Sequence, residues 1–185
     1  MKSIKGTLPN ILTLINLSLG VTAILLAMND RSRVNWLIPA SLLIMVAALT
    51  DRFDGKVARM LDVSSELGKE LDSLSDLISF GVAPVIIAWK ISLSGHFGVF
   101  GYLIALVFPI AGAFRLARYN VSTFNNVFSG MPITVAGAFL TIDNLYNCFA
   151  VLKERRLGLL ESIITVVLIL GLSALMVSKI RIKKI

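Results

Sequence analysis

Residues 49–81 read LTDRFDGKVARMLDVSSELGKELDSLSDLISFG, and their pattern is not that of a loop. Leu49, Phe53, Val57, Met60 and Leu61 keep a period near 3.6, so a helix that begins upstream is expected to run to about Leu61. Leu67, Leu71, Leu74 and Ile78 repeat in the same way and predict the start of the next helix. Two helices should therefore meet in a hairpin over 62–66. Asp51 and Asp54 are spaced i, i+3, and Asp72 and Asp76 are spaced i, i+4, so each pair projects from one side of its helix. If the pairs face each other, four carboxylates gather in one place.

The flanking sequence makes that gathering expensive. The chain has 185 residues, 56% of them hydrophobic and 16% charged, with a mean hydropathy of +0.84. A water-soluble domain of this size does not carry such a balance. A helix crosses a bilayer with about 20 mainly apolar residues, and six stretches qualify: 11–28, 34–50, 77–93, 97–114, 131–152 and 157–178. The expected fold is all-α, with six transmembrane helices in a single membrane-embedded domain over 1–185, without a separate soluble domain. The first stretch lacks a small-residue cleavage site before Asn29, Asp30 and Arg31, so it is read as a retained helix rather than a signal peptide.

An Asp costs about 2.5–3.5 kcal/mol near the middle of a spanning helix, and clustered Asp residues repel one another as well. A cation must offset this. Carboxylates without His or Cys nearby suit hard divalent ions, so Mg²⁺ or Mn²⁺ is expected. Two such ions side by side stabilise both the attacking and the leaving oxygen in displacements at phosphorus. Gly55 and Ala58 keep the surface beside Asp54 free of bulk, and Arg59 offers a planar fork for phosphate. Together these residues point to phosphoryl chemistry.

The spacing D-x2-D-G-x2-A-R-x8-G-x3-D-x3-D is filled by Asp51, Asp54, Gly55, Ala58, Arg59, Gly68, Asp72 and Asp76. It resembles the signature of the CDP-alcohol phosphatidyltransferase family at every fixed position, and the six-helix layout resembles the family fold. The resemblance implies two divalent cations held by Asp51, Asp54, Asp72 and Asp76, with Asp76 also the catalytic base. It implies a CDP site lined by Asp51, Asp54, Gly55, Ala58, Arg59 and Gly68, where Gly68 allows close helix approach. It further implies attack of an acceptor hydroxyl on the β-phosphorus of CDP-diacylglycerol, with CMP leaving, in a homodimeric enzyme of phospholipid biosynthesis.

SDLISFGVAP (75–84), FRLARYN (114–120) and FSGMPIT (128–134) resemble the bacterial phosphatidylserine synthase branch of that family, which makes serine the expected acceptor. Glycerol 3-phosphate and inositol phosphate are the alternatives. Arg115 and Arg118, spaced i, i+3 at the expected cytoplasmic end of the fourth helix, are candidates for the serine carboxylate or a lipid phosphate; plain anchoring at the membrane surface competes with that role. Pro9, Asn10 and Thr13 resemble the family's first-helix approach to the nucleotide.

The net charge of +7 is read as membrane attachment rather than nucleic-acid binding, since basic residues set topology and hold anionic headgroups. With both termini cytoplasmic, twelve Lys and Arg lie on the cytoplasmic side and six (Arg31, Arg33, Lys90, Lys153, Arg155 and Arg156) on the other. That favours an integral protein of the cell membrane with its active site at the cytoplasmic face, although the run from Lys153 to Arg156 is a local exception. Intramembrane acids also mark cation or proton paths in transporters, but here they cluster near one face and no inverted repeat accompanies them. His96 is expected in an exposed turn, Asp143 and Glu161 at the interface, Cys148 as apolar filling, and Ser64 and Ser65 in hairpin or cap chemistry.

Overall fold

The computed structural model describes the backbone of residues 2–29, 33–61, 65–121, 128–178 and 181–182, and the side chains of 10–29, 34–53, 65–121 and 130–178. Its architecture is the all-α one expected, with six helices among the described residues long and apolar enough to cross a membrane. Helix one covers Lys2–Ala27, helix two Arg33–Leu61, helix three Glu66–Leu93, helix four Gly98–Val121, helix five Ile133–Leu152 and helix six Leu159–Val177. Helix two does run to Leu61, and Ser65 caps helix three by accepting the Gly68 N–H at 3.0 Å, which stabilises the hairpin's second arm. Helix four continues to Val121, beyond the apolar run that ended at 114, so Arg118 lies in its last turn, as expected, and Arg115 about one turn further in.

The chain is a membrane protein, and its burial pattern fits lipid as the solvent. Large apolar side chains such as Leu25, Ile110 and Val167 are exposed on the outside of the bundle, while Ala23, Ala27, Ala40 and Ala47 are fully buried. Small residues at the seams let helices approach closely where lipid supplies no hydrophobic driving force. Helix one packs along helix two and against the start of helix three, helix two packs on helix five, and helix four packs along helix six.

Helix three sits in the middle of these contacts and is irregular. Its α-helical turns at Glu66–Asp76 give way to π-helical turns at Leu77–Val82, return to α over Ala83–Ala88, and widen again at Trp89–Leu93. Pro84 lies just past the first widening and has no N–H to donate up the helix, which loosens the ladder there. The Pro84 carbonyl accepts from Asn144 Nδ2 of helix five at 2.8 Å.

Gly137 of helix five lies against this wide turn. A Cβ at Gly137 would stand 2.5 Å from the Phe80 carbonyl oxygen and 2.9 Å from Phe80 Cα, and backbone cannot move aside as a side chain can. Gly137→Ala is therefore expected to destabilise the protein by about 1–3 kcal/mol, read as a lowered melting temperature in detergent. An unchanged melting temperature would contradict the close approach of helices three and five.

One feature was not expected: Phe128–Ser129 pairs antiparallel with Arg181–Ile182, with Phe128 opposite Ile182. This two-residue ribbon ties the segment before helix five to the chain beyond helix six.

Candidate active site

Helices two and three bring Asp51, Asp72 and Asp76 together, with one carboxylate oxygen from each lying within 4.8 Å of the others. Asp51 belongs to the last turns of helix two, and Asp72 and Asp76 to the first turns of helix three, immediately before the π-helical widening. Asp76 is 8% exposed, and its Oδ1 is buried without a hydrogen-bond donor among the described residues. A buried carboxylate oxygen with no donor beside it, facing two further carboxylates, fits a divalent cation. Every oxygen in this set is a hard donor, which suits Mg²⁺ or Mn²⁺ over softer metals.

The side chains of Asp54, Gly55, Ala58 and Arg59 lie outside the described residues; their backbone continues helix two past Asp51. Gly68 lies close against helix one, since a Cβ there would be 2.9 Å from Asn10 Oδ1; it would also be 3.0 Å from Ser65 Oγ of helix three's own cap. Helix one is fixed to helix three at two further points: Ser75 Oγ donates to Thr13 O at 3.1 Å, and Ser79 Oγ donates to Asn16 O at 3.0 Å. Pro9 is outside the described side chains, but Asn10 and Thr13 thus sit along the start of helix three.

The two arginines of helix four differ. Arg115 is 9% exposed, its Nε is buried without a partner, and it is near enough to Asp76 for each to feel the other's charge. Its guanidinium also lies 5.9 Å from the centre of the Tyr119 ring. Arg118 donates to Val177 O at 2.9 Å and Ser178 O at 3.2 Å. Cations at a helix C-terminus meet its free carbonyls and the negative end of its dipole, so Arg118 closes helix six.

Sequence reasoning passed over three residues at this end of the bundle. Thr134, in the first turn of helix five, donates to Asp51 Oδ2 at 3.2 Å and orients that carboxylate. Asn120 donates to Ser73 Oγ at 3.0 Å and Glu70 Oε1 at 3.2 Å, while Lys69 Nζ donates to Asn120 O at 3.1 Å, clamping helix four to helix three. Asn16 is fully buried beside Ser79, with neither carboxamide atom hydrogen-bonded among the described residues; a polar residue inside an otherwise apolar span was its available signal.

At the other end, His96 is exposed as expected, and Cys148 is buried. Asp143 departs from the interfacial position expected for it. It lies at the middle of helix five, Ile133–Leu152, where it accepts from Thr165 Oγ1 at 2.7 Å and Asn147 Nδ2 at 3.2 Å. Glu161 closes the start of helix six by accepting the Gly158 N–H at 2.9 Å.

The family model described as CDP-alcohol phosphatidyltransferase matches residues 6–178. The chain is similar to the CDP-diacylglycerol–serine O-phosphatidyltransferase of Bacillus subtilis, 37% identical over 177 residues that cover 94% of this chain and 88% of that protein. It is also similar to the Helicobacter pylori protein of the same description, 37% identical over 147 residues covering 75% of this chain and 59% of the relative. The archaetidylserine synthase of Methanothermobacter thermautotrophicus is 38% identical over 146 residues, 75% of this chain and 57% of the relative. The aligned part of this chain thus spans somewhat over half the length of the last two.

Proposed function

This chain belongs to the CDP-alcohol phosphatidyltransferase family, and from that premise we propose that it forms a single membrane-embedded catalytic domain transferring the phosphatidyl group of CDP-diacylglycerol to L-serine. The observation that carries the reading is the convergence of Asp51, Asp72 and Asp76 within 4.8 Å in the spacing of the family signature. These residues, with Asp54 by its place in that spacing, would hold two divalent cations. When bound, such ions neutralise charge on the diphosphate and on the oxygen that departs with CMP.

The chain's own residues supply the rest. Asp76 accepts the proton of the serine hydroxyl, and its burial holds it in one place as it does so. The serine oxygen then bonds to the β-phosphorus while the bond from that phosphorus to the bridging oxygen breaks, giving phosphatidylserine and CMP. Gly55, Ala58 and Arg59 line the nucleotide side, and Gly68 lets helix one close against the site. Arg115 is assigned to the serine carboxylate, since it is buried near Asp76 with donor capacity to spare; Arg118 is assigned to the end of helix six. The distribution of Lys and Arg supports placing the aspartates and both termini at the cytoplasmic face of the cell membrane. The homodimer is carried over from the family likeness.

Labelled serine, glycerol 3-phosphate and inositol phosphate, supplied separately with CDP-diacylglycerol and Mg²⁺ or Mn²⁺, test the reaction. Label should enter lipid from serine. Label entering only from glycerol 3-phosphate or inositol phosphate would refute serine as acceptor, and no CMP release with any of them would refute the transferase. Arg115→Ala should raise the KM for serine about tenfold or more, because a buried hydrogen bond to a charged group contributes about 1.5–3 kcal/mol. Arg115→Lys should restore part of that loss; an unchanged KM in the Ala variant would remove Arg115 from the acceptor site.

A further inference from the structure

At the end of the bundle opposite the aspartates, the start of helix two, the end of helix three and the turn between helices five and six enclose a cleft of about 500 Å³. Among the described residues, Lys90, Arg155 and Arg156 line it against one acid, Glu154. Apolar lining comes from Val34, Leu37 and Ile91 among others. The charged residues of the turn are exposed while Leu37 is buried, so the cleft grades from a basic mouth to an apolar interior. These cations belong to the minority of Lys and Arg that run against the charge asymmetry of the chain, and the transfer reaction makes no use of them.

The walls are held in place. Lys90 Nζ donates to Ala27 O at 2.7 Å and Asn29 O at 3.2 Å, fixing its charge against the end of helix one. Ser162 Oγ donates to Ser92 O at 3.0 Å and lies 3.1 Å from His96 Nδ1, which orients the ring that also lines the cleft. Arg155 pairs with Glu161 at 3.3 Å. Glu154 has φ 58°, a left-handed conformation uncommon for a residue with a side chain; it reverses the chain so that Arg155 and Arg156 flank the opening. Arg156 makes no ion pair among the described residues.

We propose that this cleft seats the phosphate-bearing headgroup of an anionic phospholipid from the leaflet at that end, with the acyl chains running down the apolar helix faces. Three observations favour a lipid over a free anion. The cleft opens at the level where the spanning segments end, its cations surround an apolar interior, and exposed apolar helix surface continues below it. A basic residue near an anionic membrane surface contributes about 1 kcal/mol, so losing one cation from the mouth should weaken binding about fivefold.

The test is native mass spectrometry of the full chain in detergent with phosphatidylglycerol, phosphatidylcholine or inorganic phosphate as the probe. Phosphatidylglycerol should be retained more tightly than phosphatidylcholine. Arg156→Gln should weaken phosphatidylglycerol about fivefold and leave phosphatidylcholine unchanged. Lys153→Gln, which removes an equal charge from an exposed residue outside the lining, should change neither. Equal retention of the two lipids, equal weakening by Lys153→Gln, or displacement of the lipid by millimolar phosphate would overturn the proposal. Each readout is independent of phosphatidyl transfer, so the outcome separates cleanly from the fate of the serine assignment.

Discussion

Asp76→Asn should yield a folded protein whose serine-dependent release of CMP is slowed at least about a hundredfold, the lower end of what a positioned general base contributes. The amide has the size and shape of the carboxylate it replaces, so the packing of helix three against helices one and two should survive. The chemistry should not. An amide cannot take the serine proton, and it removes one negative charge from a set whose oxygens lie within 4.8 Å of each other. Because Asp76 is only 8% exposed, water has little access to serve as a substitute base. A melting temperature near wild type together with activity within a few-fold of wild type would remove Asp76 from the reaction.

Stripping divalent cations with a chelator should abolish turnover, and Mg²⁺ or Mn²⁺ should restore it. At about 4 Å two like charges repel by about 4 kcal/mol in surroundings of effective dielectric near 20, and three carboxylates make three such pairs. Ions that bind only the folded state also stabilise it, by about 2.7 kcal/mol at a hundred times their dissociation constant. Metal should therefore raise the melting temperature of the wild-type chain, and the rise should shrink in Asp51→Ala. Turnover that persists at full rate in the chelator, or an equal thermal shift in wild type and Asp51→Ala, would contradict the carboxylate set as the metal site.

The features legible in the sequence were those with a local cause. Apolar runs marked the six spans, and the period through Val57 and Met60 carried helix two to Leu61. The aspartate spacing identified the family, and three of the four aspartates can be seen to meet. Features made by contacts distant in the chain were hidden. Thr134 reaches Asp51 across 83 positions, which no window of sequence relates. Helix four outruns its apolar stretch because Asn120 bonds helix three from its last turn. Arg115 and Arg118 look alike in sequence, yet one lies buried near Asp76 and the other closes helix six. The widened turns of helix three depend on what packs against Pro84 and Phe80, and a proline in a spanning helix does not by itself say how the helix adjusts.

If acids from helices two and three form one site for paired dications gripping a diphosphate, the ions must bind there in a fixed number. Titration of Mn²⁺ into the purified chain with CDP-diacylglycerol present, followed by electron paramagnetic resonance, addresses it directly. Saturable uptake of two ions per chain is expected, falling in Asp51→Asn and in Asp72→Asn. No saturable uptake, or the same uptake in both variants as in wild type, would contradict it.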